Sequence, residues 1–502
     1  MRYLVSSSQM KEIDRYTMDE IGIPSMVLME RAALAVAQEA DRAAGGAGTV
    51  LAACGPGNNG ADAAAAARIL KEKGYSVTVV VAGKEDRGTQ ERKNQLAIAR
   101  NLGMDVVEFS DFIPGQYDVV IDGGFGVGLN RPVEGYYREF LEFLKKIKSG
   151  YTVAVDLPSG VDSDRGTILG PVRKADVTVT FGYEKLGTAV YPGKAYRGRL
   201  VVADAGFPGQ AFDYAGASAV TYEEEDRERL PARPAYSHKG TYGKVLVIGG
   251  RNHMAGAAYL AGLSAYRIGA GLVKFLAPES NREILQTLLP EAVMVPYGEE
   301  GKSGIPDISQ ITEDGTLEQL CKEASAVILG PGLGRDEMAA KLVKSVLNLA
   351  CSPVVLDADG LYAVAEHKEF TRYFTENIII TPHLLEMARL MDIPVEQIQG
   401  NLIQTASDYA EQYGITCVLK DAATVVAGKD GNLYINSSGC AAMAKGGAGD
   451  VLSGVIGGLL AQGMDEAEAA FLGVYLHGKA GEKAAESQGD RAVLARNLAD
   501  CL

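Results

Sequence analysis

Near the end of the chain, Gly447-Ala448-Gly449-Asp450 runs directly into a stretch with helical character, VLSGVIGGLLAQG. Glycines there expose backbone N–H groups to developing negative charge, and an aspartate in the first turn can accept a proton from a substrate hydroxyl. Those parts suit phosphoryl transfer to an alcohol, although a plain glycine-rich helix cap has the same string. Upstream, the apolar run Ile415–Leu419 leads into Lys420-Asp421-Ala422-Ala423-Thr424, whose Lys and Thr could lie over nucleotide phosphates. His383, one of five histidines, follows the apolar IIITP and has Thr381, Pro382 and Glu386 around it. A buried, satisfied histidine would look the same; its polar neighbours favour a site. The turns GPGLG and DADG add Gly332 and the acidic pair Asp357 and Asp359.

A second group of residues occupies the first half. Asn59 lies in the turn GPGNNGAD, Asp122 ends the run YDVVID, and Ser159 follows TVAVD. One carboxylate with amide, hydroxyl and carbonyl oxygens suits a hard, weakly charged cation. Asp156, at its own strand end, has the chemistry of an acid/base or hydroxyl-orienting group, and equally that of a helix cap.

These residues recur at one kind of place. TVLAACGPGNNG, YDVVIDGGFGVG, YTVAVDLPSG, GKVLVIGG, ASAVILGPGLG and SPVVLDADG are each a short apolar run that ends in a glycine-rich turn. Amphipathic or Ala-rich segments of helical length lie between them, at 62–73, 132–148 and 336–349, and the run 49–53 reads as the first strand. Strand–turn–helix repeated in this way predicts α/β architecture, with parallel sheets covered by helices on both faces. Ligands in such sheets bind beyond the carboxyl ends of the strands, where the turns fall. The series breaks once, over residues 207–236, which lack a strong strand and carry EEEDRER followed by PARPAY. A solvated connector there divides the chain into domains at 1–215 and 225–502 with no shared sequence period, and Lys429-Asp430-Gly431-Asn432 signals a hairpin within the second.

Bulk properties narrow the partners. The chain has 502 residues, enough for two domains of moderate size or three small ones. Its 49 Lys+Arg against 64 Asp+Glu leave a net charge of −15, which argues against nucleic acid and anionic membranes as partners. The six cysteines are scattered without a C-x-x-C pair, so they read as small hydrophobes in a reducing cytosol. No apolar run reaches about 18 residues and the N-terminus lacks a signal-peptide core, so a cytoplasmic protein is expected. The turn Gly55–Gly60 spells G-x-G-x-x-G, but no acidic residue stands about 20 positions after it, which argues against a Rossmann oxidoreductase.

MKEIDRYTMDEIGIPSMVLMERAA, CGPGNNGAD, VIDGGFGVGLNRP and VDLPSGVDSDRG together resemble the NAD(P)H-hydrate epimerase family over roughly residues 1–213. The resemblance implies a Rossmann-like three-layer sandwich. It implies substrate contacts at Asn58, Asn59, Gly60, Ala61, Asp62, Gly126, Val127, Gly128, Leu129, Asn130, Arg131, Pro132 and Asp156. It also implies a potassium ion near Asn59, Asp122 and Ser159. The family usually has glycine where this chain has Ala61 and Ala63, and two added methyl groups could narrow the approach to a phosphate.

HKGTYGKVLVIGG, MAGAAYLAGLSAYRIGAGLVKF, ILGPGLG, LDADGL, TPHLLE, VLKDAATVVAG and KGGAGDVLSG resemble, in order, the NAD(P)H-hydrate dehydratase family over about 225–500. That family is ribokinase-like. The resemblance implies that Ala257, Gly332, His383 and Asp450 contact the hydrated cofactor, and that Lys420, Asp421, Ala422, Ala423, Thr424 and Gly449 contact ADP. Leu384-Leu385 and Asp421 depart from the family's usual Pro-Gly and Gly. The implied chemistry is repair of NADHX and NADPHX, with interconversion of the C6 epimers by the first half. In the second half ADP phosphorylates the C6 hydroxyl of the S epimer with Mg²⁺, and loss of phosphate leaves NAD(P)H and AMP. The family suggests a homo-oligomer. A ribokinase-like small-molecule kinase fused to a non-catalytic nucleotide-binding module is the alternative, and it would release a stable phosphoester.

Overall fold

A strand that is apolar at every position can be buried on both faces only in a sheet covered by helices on each side. The computed structural model describes residues 1–84, 87–298, 307–349 and 351–502 and falls into two units. One is Tyr3–Val220; the other is Thr221–Leu502 together with Met1–Arg2.

The first unit contains β1 (Arg2–Val5), β2 (Thr49–Cys54), β3 (Ser76–Val81), β4 (Asp105–Glu108), β5 (Gln116–Gly123), β6 (Lys148–Val155), β7 (Val177–Phe181), β8 (Glu184–Lys185) and β9 (Arg199–Ala203). Seven of them form a parallel sheet in the order β4-β3-β2-β5-β6-β7-β9. Successive side chains point to opposite faces. Val50, Ala52 and Cys54 therefore pack with alanines of the helices Ser25–Ala44 and Asn58–Glu72. Leu51 and Ala53 pack instead with Phe140, Leu141 and Leu144 of the helix Gly135–Lys146. This is the three-layer sandwich. The strand order reverses between β2 and β5, and a crevice opens at such a switch point.

β10 (Ala219–Thr221) straddles the boundary, and the second unit goes on with β11 (Lys244–Ile248), β12 (Leu272–Pro278), β13 (Val293–Tyr297), β14 (Ala326–Leu329), β15 (Val354–Leu356), β16 (Ile378–Ile380), β17 (Thr416–Leu419), β18 (Val425–Ala427) and β19 (Leu433–Ile435). β13-β12-β11-β14-β15-β16-β17 run parallel, and β18 and β19 continue antiparallel. The hairpin expected at 429–432 joins the last two, with Gly428 N–H donating to Asn432 O. No helix among the described residues is long and apolar enough to cross a membrane.

Several boundaries differ from the sequence reading. The first strand of the chain is β1, four residues too short to carry a pattern. The helix after β2 begins at Asn58 rather than 62, because the first turn has no intrahelical N–H bonds to lose and tolerates poor formers. The next spans Gly135–Lys146 rather than 132–148, and β6 already begins at Lys148. The segment 207–236 is less of a connector than its charge suggests. It holds the helix Gly209–Ala215, β10 and a 3₁₀ turn over Glu224–Arg229. Tyr222 is buried, its hydroxyl donating to Glu468 at 2.9 Å, and buried Asp226 holds the Met1 amino group at 2.6 Å. Charge masked these anchors; the exposed stretch is residues 232–240.

The helix Ala448–Ala461 lies against the helix Ala255–Ile268 through a glycine. A β-carbon on Gly454 would come 2.2 Å from Ala261 O, whereas one on Gly256 would meet nothing within 4 Å. Alanine in a helix gains about 0.5–1 kcal/mol over glycine, and overpacking costs roughly 1–3 kcal/mol. Gly256→Ala should therefore raise the denaturant midpoint of the second unit and Gly454→Ala should lower it. Equal shifts of the same sign would refute the close packing.

Candidate active sites

In the first unit the turns after β2 and β5 converge on a cavity of about 500 Å³, within the usual range for a small-molecule site. Gly57, Asn58 and Asn59, the uncapped first turn of a helix, form part of its wall, a natural place for an anion. Asp62, Gly126, Val127, Gly128, Leu129 and Asp156 line it as well. Gly60 and Ala61 are buried behind that wall, and Asn130, Arg131 and Pro132 are off the lining. Ala61 and Ala63 are helical and fully buried, with the Ala63 methyl group turned toward Gly123, so neither narrows the cavity.

Behind the cavity wall, Asp122 is completely buried. Ser159 donates to it twice, from Oγ to Oδ1 at 2.5 Å and from its N–H to Oδ2 at 3.0 Å, and the Gly124 N–H donates at 3.2 Å. Burial raises the Asp122 carboxyl above its ordinary value while the bonds from Ser159 pull it back. The N–H of Phe125 in turn donates to Ser159 Oγ at 2.8 Å. Asn59 makes no bond to this pair. Its amide lies over Gly126, and its Nδ2 is buried without a partner.

The remaining wall carries residues that the sequence did not single out. Lys185 on β8 is 1% exposed, and its Nζ donates to Asp156 Oδ1 at 2.6 Å, Thr180 Oγ1 at 3.0 Å and Phe181 O at 3.1 Å. Thr180 also donates to Asp156 Oδ1, at 2.9 Å. Asp156 adopts φ +64°, a left-handed conformation rarely found without glycine. Asp14, from the helix Ser7–Asp19, reaches the same cavity. Burial pushes its carboxyl up to about 6, opposed by the charge of Lys185 and reinforced by Asp156. Asp62 is raised well above the usual carboxylate range by burial and by the charges of Asp156, Asp14 and Glu91. The amphipathic MKEIDRYT, with Met10, Ile13 and Thr17 inward, was the one signal for Asp14. A lysine buried on a two-residue strand leaves none.

In the second unit the chemistry gathers beyond β15, β16 and β17. Lys420 Nζ is 3.0 Å from Asp357 Oδ1 and 4.0 Å from Glu386 Oε2, and Ser453 Oγ donates to Asp357 Oδ2 at 2.9 Å. A β-carbon on Gly449 would lie 3.3 Å from Lys420 Nζ, so the glycine-rich turn rests on this network. Asp450 occupies the first turn of its helix. Burial, then the charge of Asp357, pushes its carboxyl up to about 7 against the pull of Lys420. His383 is not buried. It caps the helix Leu384–Met391, its Nδ1 accepting from the N–H groups of Leu385 and Glu386 at 3.1 and 3.2 Å, and Lys420 N–H donates to Pro382 O beside it. Partial burial and Lys420 lower its pKa. Asp421 and Ala422 are exposed, whereas Ala423 and Thr424 are buried. Gly332 and Ala257 adjoin each other near the β11/β14 switch point, 3.1 Å from a β-carbon built on the glycine. Asp359 is committed elsewhere, accepting from the Gly334 N–H and Arg335 Nε. Sequence reading missed Ser453, whose role depends on Asp357 folding back 96 residues to meet it.

Residues 245–502 match the family described as NAD(P)H-hydrate dehydratase, and residues 25–187 match that described as YjeF-related protein N-terminus. The chain is 37% identical to the bifunctional NAD(P)H-hydrate repair enzyme Nnr of Moorella thermoacetica, covering 100% of this chain and 96% of that protein. It is 34% identical to the enzyme of the same name from Escherichia coli K12, covering 97% and 90%. Among solved structures, a ribokinase-like superfamily protein of Enterococcus faecalis V583 is 27% identical with a TM-score of 0.50, covering 57% of this chain and 94% of that one.

Removing one partner of a buried ion pair leaves an uncompensated charge, at a cost of about 3–5 kcal/mol. Lys185→Met should therefore destabilise the first unit by that order, with partial recovery in Lys185→Met/Asp156→Asn. Chemical denaturation of the three proteins checks this, and an unchanged midpoint for the single variant would exclude a structural role for the pair.

Proposed function

The chain belongs to the family of bifunctional NAD(P)H-hydrate repair enzymes, and from that premise we propose how its two units divide the chemistry. The first epimerises the C6 carbon of hydrated NADH and NADPH, and the second dehydrates one epimer at the expense of ADP. The observation that carries the reading is Asp450. It is a carboxyl held near neutrality at an uncapped helix N-terminus, beside a lysine and a serine that share one buried aspartate.

Hydroxide leaves a ring carbon poorly, and phosphate leaves well. Asp450 removes the proton of the C6 hydroxyl as that oxygen takes the terminal phosphoryl group of ADP, releasing AMP. Loss of phosphate from C6 with the C5 proton then restores the double bond. Lys420, pinned by Asp357, keeps positive charge under the glycine-rich turn, and the N–H groups of that turn face the transferring group. Asp357 and Glu386 would accept hydrogen bonds from the water shell of a Mg²⁺ ion bound with the nucleotide, which would supply further neutralisation of the phosphates. His383, Gly332 and Ala257 take the hydrated cofactor, and the backbone at 420–424 with Gly449 takes the nucleotide.

In the first unit the turn Asn58–Asp62 and residues Gly126–Leu129 hold the dinucleotide, and Asp156 engages the C6 hydroxyl. A potassium ion fits the oxygen-rich group behind them, formed by the Asp122 carboxylate, Ser159 Oγ and the Asn59 amide. The buried Asp122 carboxylate with Ser159 Oγ against it supports that fit, and Asn59 would join through its Oδ1, since its Nδ2 is a donor. The ion would supply fixed positive charge beside the substrate. The six free cysteines suit a cytoplasmic enzyme.

Purified protein given both hydrate epimers and ADP should convert all of the substrate to reduced nicotinamide, read by absorbance, with one phosphate released per turnover. A stable phosphoester in place of free phosphate would reassign the second unit to the kinases. Asp450→Asn should lose on the order of 10²–10⁴-fold in dehydration while still binding ADP. A base must be deprotonated to act. Wild-type kcat/KM for dehydration should therefore climb about tenfold per pH unit below about 7 and level off above it. A rate flat across pH 5–8 would remove Asp450 from the role of base.

A further inference from the structure

Four charged side chains face the cavity of the first unit from four elements: Asp14 from the helix Ser7–Asp19, Asp62 from the helix Asn58–Glu72, Asp156 from the turn after β6, and Lys185 from β8. Lys11 joins them one helical turn before Asp14. Asp156 Oδ1 is taken by Lys185 and Thr180, which leaves its Oδ2 as an acceptor. Neither Asp14 nor Asp62 makes a hydrogen bond or ion pair among the described residues. Two carboxyls without partners therefore face a cavity whose third carboxylate is pinned.

We propose that Asp14 is a catalytic residue of the first unit, the acid that protonates the departing ring nitrogen during epimerisation. The assignment rests on the reading of that unit as an epimerase. The C6 carbon of a hydrated nicotinamide bears a hydroxyl and the ring nitrogen N1, and is thus a hemiaminal. Its configuration inverts when the ring opens and recloses. Asp156 Oδ2 takes the hydroxyl proton, the O–H electrons become the second bond of a C6 carbonyl, and the C6–N1 pair goes to N1. Asp14 gives N1 a proton. Rotation about C5–C6 presents the other carbonyl face, N1 re-adds and returns its proton to Asp14, and Asp156 returns the other. No redox partner is needed, and both carboxyls end as they began.

The neighbours decide between the two free acids. Burial raises the Asp62 carboxyl most and the charges of Asp156, Asp14 and Glu91 raise it further, so it holds its proton tightly. Asp14 is less deeply buried and has the Lys185 ammonium, which can stabilise its conjugate base, and its carboxyl is pushed up only to about 6. Only the second group can both give and recover a proton near neutrality.

The test uses the full-length protein, a mixture of both epimers and ADP, compared with the spontaneous inversion rate. In wild type the epimer that the second unit rejects should drain faster than background. Its kcat/KM should fall about tenfold per pH unit above about 6, since the acid must be protonated. Asp14→Asn should slow that phase on the order of 10²–10⁴-fold with little change in KM, abolish the fall with pH, and leave dehydration of the accepted epimer intact as an internal control. Asp14→Glu, which keeps the carboxyl, should recover part of the rate, and thermal unfolding of both variants reports on the fold. Wild-type speed and pH dependence in Asp14→Asn would overturn the assignment while the epimerase reading stood. Inversion no faster than background in wild type would overturn that reading, and this assignment with it.

Discussion

A β-carbon at Gly55 would sit 1.7 Å from the carbonyl oxygen of Gly124, and one at Gly330 would sit 1.9 Å from that of Asp357. Neither separation is possible between non-bonded atoms. Both glycines leave the carboxyl end of a parallel strand, where neighbouring chains exit side by side and their turns must cross. The crossing forces backbone against backbone, and only glycine permits it. Everything functional hangs on these two places. The first brings the Asn58–Asp62 turn against the loop that carries Phe125–Leu129. The second seats Asp357 under Gly330, in reach of Lys420 and Ser453. Larger side chains there would separate the turns and open the sites.

Once gathered, the carboxyl groups acquire different chemistry from their surroundings rather than from their type. Asp156 has a lysine and a threonine on one oxygen. Asp62 is raised by burial and then by other acids. Asp14 and Asp450 lie between, each with burial raising the pKa and one lysine opposing it, and each titrates near neutrality. Asp122 is buried as deeply as any of them, and its donors come from Ser159 and the Gly124 backbone. Five aspartates thus serve as pinned acceptor, fixed proton holder, two exchanging groups and a candidate cation ligand. Moving one lysine would redistribute those roles.

What could be read from the sequence follows from where the information lies. Apolar runs ending in glycine announce a buried strand and its turn, so Gly447–Asp450, the Asn58–Asp62 turn, Asp122, Ser159 and Asp156 could be found by inspection. Both units also proved to be α/β structures built on parallel strands, with an antiparallel hairpin at the end of the second. Lys185 and Ser453 escaped because their importance is tertiary: each matters only through an aspartate distant in sequence. Asp14 sits on an amphipathic helix like any half-buried polar residue. β1 and β10 are too short for a period-two pattern, and the charge of EEEDRER hid the buried Tyr222 beside it and the buried Asp226 within it. His383 was legible as a polar interruption, but its capping of a helix follows from backbone geometry alone.

The two exchanging aspartates work in opposite senses, and this constrains how the enzyme can run. Asp450 must be without its proton when it meets the hydroxyl, so dehydration weakens as pH falls below about 7. Asp14, on our assignment, must carry a proton when the ring opens, so epimerisation weakens as pH rises above about 6. The two demands are not fully met at one pH, yet between the two values each group retains at least about one part in eleven of its working form, a loss of about tenfold at most. In more alkaline conditions supply of the accepted epimer would limit the flux, and in more acidic conditions its removal would. Housing the two acids in separate units allows each lysine–carboxylate environment to be tuned on its own. A single shared cavity would have to satisfy both proton demands with one set of charges.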